Sequence, residues 1–401
     1  MHRRRDVPRQ VRQVEVRDRR PVDQRRRLIT AHPCDARPPG RASSRPGWVE
    51  RPIRPQPRLR TGGAGYCPSP RRRPSERTPI AARAGDPPAS FRHEAALFDR
   101  DEDLAAIVTP FLAAGIDRDE PTLVAVGSAC AEVLLDLAPE RDALIVVPAS
   151  EELRRPAVRL QTLRRAVDVH LAAGAERVRI VSALPTTGDD PVSWQPWARY
   201  EAYLDVALVH CPIWQLCLFD ERTAGPLALA HALRCHTHLA TARDGHQEVA
   251  DRPPPSELLD ELLFVDEPAT GPGPPLAQLV DPSPTSARHL ARDLAAAALL
   301  DGDDADGLVS AVSEIVTNAH LHGRGPVELC AWRADSEVVV TVTDRGDGPS
   351  DPTVGLAPAV RRPGEGGFGL WIASQVCRSV TLHRQPGAFA VRLVACPRED
   401  P

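Results

Sequence analysis

The chain has no lysine: all 50 of its basic residues are arginine, and Met1 is its only methionine. That absence removes whole classes of chemistry. No Walker A lysine can reach a nucleotide's phosphates, no Schiff base can form, and no catalytic lysine pair can exist. Aromatic residues are scarce at 4%, so the gathering of Trp194, Trp197 and Tyr200 stands out, and core packing is the expected use of it. No apolar run approaches the roughly 18 residues of a membrane-spanning helix, and no apolar stretch follows the N-terminal arginines as in a secretory signal. Nine cysteines include no C-x-x-C pair. Cys130, Cys217, Cys330 and Cys377 lie in apolar surroundings and are expected to be reduced core thiols. Together these features predict a cytoplasmic protein with no membrane partner.

The net charge of −4 hides an asymmetry. Residues 1–90 hold 23 Arg against 8 acids, or +15, and residues 91–401 hold 27 Arg against 46 acids, or −19. The basic block is rich in proline and without periodicity, which predicts a disordered Arg/Pro-rich tail over residues 1–88. Such a tail would bind nucleic acid only unspecifically, so no specific nucleic-acid partner is expected. A second reading places the start of translation further downstream, leaving much of this block unmade.

From about Phe91 the composition becomes that of a globular protein. The expected organisation is a first domain over 89–250, a linker over 251–276 and a second domain over 277–397. In the first domain the helical pattern "DEDLAAIVTPFLAAGI" leads to short, β-branched apolar runs at Thr122–Gly127, Ala143–Val147, Arg177–Ser182 and Trp214–Phe219. They alternate with helical segments such as Leu153–Ala173 and Pro226–Leu239, which predicts an α/β domain with a largely parallel sheet. The linker is rich in proline and acid, with one short helix. The second domain reads as helices over Ser286–Ala298 and Asp303–Leu321, then strands over Val327–Trp332 and Val338–Asp344. A Gly/Pro-rich loop, a helix over Phe368–Cys377 and two closing strands over Val380–Arg384 and Phe389–Ala395 complete it. That order predicts an α+β two-layer sandwich on a mostly antiparallel sheet.

Three segments of the second domain carry chemistry. In "SEIVTNAHLHG", Val312, Ile315, Val316 and Ala319 form an apolar stripe, and Glu314 and Asn318 sit one turn apart away from it. "DRGDGP" places Asp344 at a strand end, followed by Gly346 and Gly348. "GEGGFGLWIA" puts Gly364, Gly366, Gly367 and Gly369 at the opening of a helix. A carboxylate such as Asp344 can accept a hydrogen bond from an adenine amino group. Gly346 and Gly348 let backbone approach a base where a Cβ would collide. The glycine turn offers free N–H groups to phosphates at a helix N-terminus. Asn318 supplies the neutral oxygen that Mg²⁺ accepts, and Glu314 can orient or deprotonate an attacking hydroxyl.

In this order and spacing the segment from about Ala277 to Pro397 resembles the GHKL-type ATPase domain of gyrase, histidine kinases and MutL. "SEIVTNAHLHG" is similar to its N box, "DRGDGP" to its first glycine box and "GGFGLW" to its second. Within that superfamily it is most similar to the anti-sigma regulatory factors of the serine-protein-kinase type, because the loop between the glycine boxes is short and a proline-rich linker stands where a phosphoacceptor helix pair would be. The resemblance implies ATP and Mg²⁺ as cofactors, with Asn318 on Mg²⁺, Glu314 as catalytic base and Asp344 on adenine. Gly346, Gly348, Gly366, Gly367, Gly369 and Leu370 would shape the pocket. It implies protein serine/threonine kinase activity toward an anti-sigma-factor antagonist of STAS type, with a sigma factor as a further partner and a homodimer allowed. Where the family often has Gly-Thr near the final strand, this chain has Gly387-Ala388, one polar contact fewer. Two alternatives belong beside this reading: a non-catalytic ATP-dependent binding module, and a histidine-kinase derivative lacking its phosphoacceptor helices.

The first domain resembles the MEDS domain, a sensory module, over about residues 91–245. The matching positions are His93, Phe98, Arg199-Tyr200-Glu201, Cys217, Asp220 and Thr237-His238. The resemblance implies signal sensing, with a small-molecule signal allowed, and fixes no ligand. Three further features suggest less. His231, Cys235 and His238 fall at helical spacing but have no evident fourth ligand, so helix surface or packing is expected. His320 and His322 flank the N box as packing or rim residues, and Arg361 and Arg362 are expected to be exposed charges of the lid loop.

Overall fold

In the computed structural model the described residues are 90–147, 155–185, 190–334, 337–358 and 368–397. The tail, Gly364, Gly366, Gly367, Arg361 and Arg362 lie outside them. All described residues belong to one compact unit.

The first domain runs β1 (Arg92–Phe98), α1 (Asp101–Asp117), β2 (Thr122–Ala125), α2 (Ser128–Leu137), β3 (Leu144–Val146), α3 (Pro156–Ala172), β4 (Val178–Ala183), α4 (Pro191–Ala207), β5 (Ile213–Asp220), α5 (Pro226–Cys235), β6 (His238–Thr241) and β7 (Gly245–Glu248). The sheet order is β3-β2-β4-β5-β1-β6-β7, parallel throughout except for the β6–β7 hairpin. This is the expected α/β architecture. β1 was not expected as a strand, because His93 and Glu94 break its apolar pattern. Both are buried and stay so because they have partners; Trp214 donates its indole N–H to Glu94 at 2.8 Å. The helix expected to reach Leu239 ends at Cys235 instead, and His238–Thr241 pairs in parallel beside β1.

The segment expected to be linker is packed. Its short helix, α6 (Pro255–Glu261), buries Leu258 and Leu259 in the first domain's core against α4. The following residues cross to the second domain, where the Val265 N–H donates to the Leu382 carbonyl at 2.7 Å. Gly271 then lies flat on Trp332, since a Cβ there would come 2.4 Å from the indole ring.

The second domain runs β8 (Ala277–Val280), α7 (Pro284–Ala297), α8 (Gly302–His322), β9 (Glu328–Ala334), β10 (Glu337–Asp344), α9 (Gly369–Val376), β11 (Ser379–Gln385) and β12 (Ala388–Ala395). Its sheet order is β11-β12-β10-β9-β8, with every pairing antiparallel. Val338, Val340 and Val342 point into one core with Leu308, Val312, Ile315 and Val316 of α8, while Val339 faces the opposite side with Trp332 and Val394. That alternation is the two-residue period of a strand buried on both faces. α8 begins with a capping Asp301 that accepts from the Asp304 N–H at 2.8 Å. Gly307 lets α8 and α9 touch, a Cβ there lying 2.9 Å from Val376 Cβ.

His383 on β11 is 2% exposed. Its Nδ1 lies 2.7 Å from the Glu267 carbonyl and its Nε2 2.8 Å from Thr381 Oγ1. Burial lowers its pKa below the ordinary histidine value, against the Glu267 hydrogen bond, and the Arg392 charge adds to the lowering. A histidine whose folded pKa is lowered stabilises the fold fully above its unfolded pKa, and that stability is lost as pH falls below it. The chain is therefore expected to lose stability from about pH 6.5 downward with a His383 contribution of at most about 1.4 kcal/mol per pH unit. Denaturant midpoints of wild type and His383→Gln measured across that window check this; the variant should show a shallower decline.

Candidate functional site

α8 carries Glu314 and Asn318 on the side that α9 meets. Both are half-buried. The N-terminal residue of α9, Gly369, sits so close that a Cβ would come 2.6 Å from Asn318 Nδ2 and 3.2 Å from Glu314 Oε2. The N box and the second glycine box thus meet, and only a glycine fits between them. Leu370 follows in α9 and packs on the α8 core. At the far end of β10, Asp344 is 4% exposed, and its Oδ1 accepts the N–H groups of Gly346 and Arg324, the latter at 3.2 Å. A Cβ on Gly346 would strike that oxygen at 2.7 Å. At Gly348, with φ +73°, a Cβ would strike the Phe389 ring at 2.6 Å. These glycines were expected to make room for a base. Within the protein Gly346 fits against Asp344 and Gly348 against Phe389. Asp344 pairs across the sheet with Phe389, whose ring shares its face, while Ala388 precedes Phe389 on the strand and faces the other side. His320 is an exposed rim residue, its Nε2 2.8 Å from the Pro282 carbonyl.

In the first domain four buried side chains converge from separate elements: His93 of β1, Glu201 of α4, Cys217 of β5 and His236 just after α5. His93, Glu201 and Cys217 are positions the sequence singled out. His236 was missed, because it follows α5 outside any helical register. His231 and His238 do not join them: the Trp194 indole donates to His231 Nδ1 at 2.7 Å, and His238 Nδ1 lies 2.9 Å from Thr237 Oγ1.

Two family models match the chain. The methanogen/methylotroph, DcmR sensory domain, MEDS, matches residues 92–237, and the histidine kinase-like ATPase domain matches residues 280–395. The chain joins a MEDS domain to a histidine kinase-like ATPase domain. No curated protein matches it. Among solved structures, similarity is found to the RsbU and RsbW domains of a Mycobacterium tuberculosis protein, at 21% identity over 32% of this chain and 34% of that one, with a TM-score of 0.23. The mycobacterial sensor histidine kinase MprB gives 18% identity over 31% of this chain and 99% of that one, with a TM-score of 0.22. The histidine kinase domain of the E. coli osmosensor EnvZ gives 16% identity over 33% and 95%, with a TM-score of 0.20. Among the described residues no helix is long and apolar enough to cross a membrane.

The ATPase domain implies ATP as ligand, and its side chains suit one. A helix N-terminus, a carboxamide and two carboxylates are present without any lysine. The MEDS cluster is a strongly coupled set of charges. Burial raises Glu201, but the His236 and His93 imidazoles facing it at 3.0 and 3.2 Å outweigh that and lower the carboxyl pKa far below the ordinary range. Burial lowers His93 and His236, yet both end raised by Cys217, Glu201 and, for His93, Asp205. Burial and the Glu201 charge push the Cys217 thiol up, and the His93 charge with hydrogen bonding from both histidines brings it down to about 7.

Hydrogen bonds from two arginines and the packing of Leu356 help tie the domains together. Arg199 of α4 is 5% exposed and donates through Nη2 to the carbonyls of Pro352, at 2.9 Å, and Val354, at 2.8 Å. Leu356, two residues further on, packs into the MEDS core. Arg155, at the start of α3, donates to the Gln375 carbonyl at 2.9 Å and to Asp304 Oδ1 at 3.1 Å.

Proposed function

We propose that this chain is a signal-controlled protein kinase, in which the ATPase domain passes the γ-phosphoryl group of Mg·ATP to a serine or threonine hydroxyl of an anti-sigma-factor antagonist. The meeting of Glu314 and Asn318 with Gly369 at the α9 N-terminus carries this reading. Bound ATP supplies the phosphoryl donor. Asn318 would hold Mg²⁺ through its amide oxygen, and Asp344 would accept from the adenine amino group. Glu314 would take the hydroxyl proton of the acceptor as the new O–P bond forms and ADP leaves. A positioned base of this kind contributes about 10²–10⁴ in rate.

Glu314→Gln keeps size and polarity but cannot take the proton. It is expected to bind Mg·ATP as wild type does and to transfer phosphate to the antagonist slower by about 10²–10⁴. Radiolabelled transfer beside nucleotide titration checks this. A variant that keeps full transfer would remove Glu314 from the role of base. A wild type that binds Mg·ATP, transfers nothing to any cognate antagonist and still holds a sigma factor would make the domain a nucleotide-dependent binding module.

A further inference from the structure

We propose that His93, Glu201, Cys217 and His236 bind one divalent transition-metal ion of the zinc class inside the MEDS domain. Their ligand atoms all lie within 4.8 Å of one another, and all four residues are buried. His93 Nε2 is 3.2 Å from Glu201 Oε2, His236 Nε2 is 3.0 Å from the same oxygen, and Cys217 Sγ is 3.5 Å from His93 Nε2. Four ligands placed tetrahedrally about 2.0–2.3 Å from a zinc ion stand roughly 3.3–3.7 Å apart, so these three separations are close to those of a coordination shell, and the widest pair stays within 4.8 Å.

The outer partners settle which atoms face the centre. His236 Nδ1 lies 2.8 Å from the Ala232 carbonyl, an acceptor, so this nitrogen carries the proton and Nε2 turns a lone pair inward. His93 Nδ1 faces the Asp205 carboxylate at 3.3 Å, and Asp205 is in turn paired with Arg252 at 2.6 Å. A carboxylate behind one histidine and a carbonyl behind the other is the usual second layer around a metal-bound imidazole pair. What faces inward is then two imidazole nitrogens, a carboxylate and a sulfur, all of them acceptors once the thiol is ionised. Both Glu201 oxygens, His236 Nε2 and His93 Nδ1 are buried without an aligned hydrogen bond, despite the short separations. A ring of acceptors sealed from water needs a cation. Protons could supply it by making both rings imidazolium, but their centroids are 4.0 Å apart. A single metal ion neutralises the set without that repulsion. Nitrogen, sulfur and one carboxylate favour zinc or a neighbouring transition metal over Mg²⁺ or Ca²⁺. Four protein ligands leave no open position, which makes the site a structural or sensing centre rather than a catalytic one.

The full chain, stripped with a chelator and titrated with Co²⁺ and then Zn²⁺, tests this. One equivalent should bind, and the Co²⁺ form should show a thiolate-to-cobalt charge-transfer band with the strong visible absorption of a four-coordinate ion. Cys217→Ser should lose the charge-transfer band, and Asp205→Asn should weaken binding by about 10–100-fold. Circular dichroism confirms that each variant is folded. A folded wild type that takes up neither metal would overturn the proposal, as would a cobalt spectrum without the thiolate band or one unchanged in Cys217→Ser. Should Cys217→Ser not fold, the wild-type cobalt spectrum decides alone.

Discussion

Replacing Asn318 or Asp344 by alanine is expected to abolish the thermal stabilisation that Mg·ATP gives the chain. A ligand at 100 times its dissociation constant stabilises the fold that binds it by about 2.7 kcal/mol. The two variants should reach zero shift by different routes. Asn318 is half-buried, and its amide lies against Gly369 rather than holding a backbone group together. Its loss should leave the unliganded protein close to wild-type stability. Asp344 is buried and anchors the N–H groups of Gly346 and Arg324, so Asp344→Ala leaves two donors without their acceptor. It should cost about 1–3 kcal/mol before any ligand is added. Asp344→Asn separates the two duties: its amide oxygen can still accept from Gly346 and Arg324, while its NH₂ cannot accept from adenine. The unliganded fold should survive that change and the Mg·ATP shift should not. Scanning calorimetry of wild type and the three variants, with and without Mg·ATP, gives all four values. A folded wild type with no shift at millimolar Mg·ATP would remove the nucleotide reading altogether.

Arg199→Ala is expected to destabilise the protein by about 2–4 kcal/mol and to loosen the segment that follows the first glycine box. Two charge-assisted hydrogen bonds disappear, each worth about 1.5–3 kcal/mol when made by a charged group, and relaxation of the loop recovers part of the loss. Burial pushes the Arg199 guanidinium down to about 10, with the Asp351 carboxylate working against it. The group still carries its charge at neutral pH, so both hydrogen bonds are charge-assisted in the working protein. Hydrogen exchange at residues 352–358 should speed up well beyond that at β10, which is held on both sides by strands. Unchanged protection at those residues would show that Leu356 alone holds the segment. The same helix, α4, carries Glu201 two residues later into the buried cluster. One rigid element therefore touches both the candidate metal centre and the segment between the glycine boxes, and a shift of α4 would be felt at each.

The sequence by itself determined what depends on short, contiguous patterns. β-branched runs alternating with helical segments settled the parallel α/β class, because each strand of such a sheet is buried on both faces. The order of helices and hairpin strands settled the antiparallel α+β class. Glu314, Asn318, Asp344 and the glycines could be proposed from sequence because each box needs its residues within one turn of helix or one loop. What the sequence could not show is that Gly346 and Gly348 are also fitted closely to Asp344 and Phe389. β1 went unseen because His93 and Glu94 look like surface residues until the partners that bury them are in place. Tertiary structure alone decided the rest. His93, Glu201, Cys217 and His236 come from four elements that meet only when β1 slots between β5 and β6 and α4 closes over them. The packing of the proline-rich segment, and the seating of Arg199 and Leu356, likewise depend on complementary surfaces formed by residues far apart in the chain. No local pattern encodes such a meeting, because its free energy resides in contacts that exist only once the chain is folded.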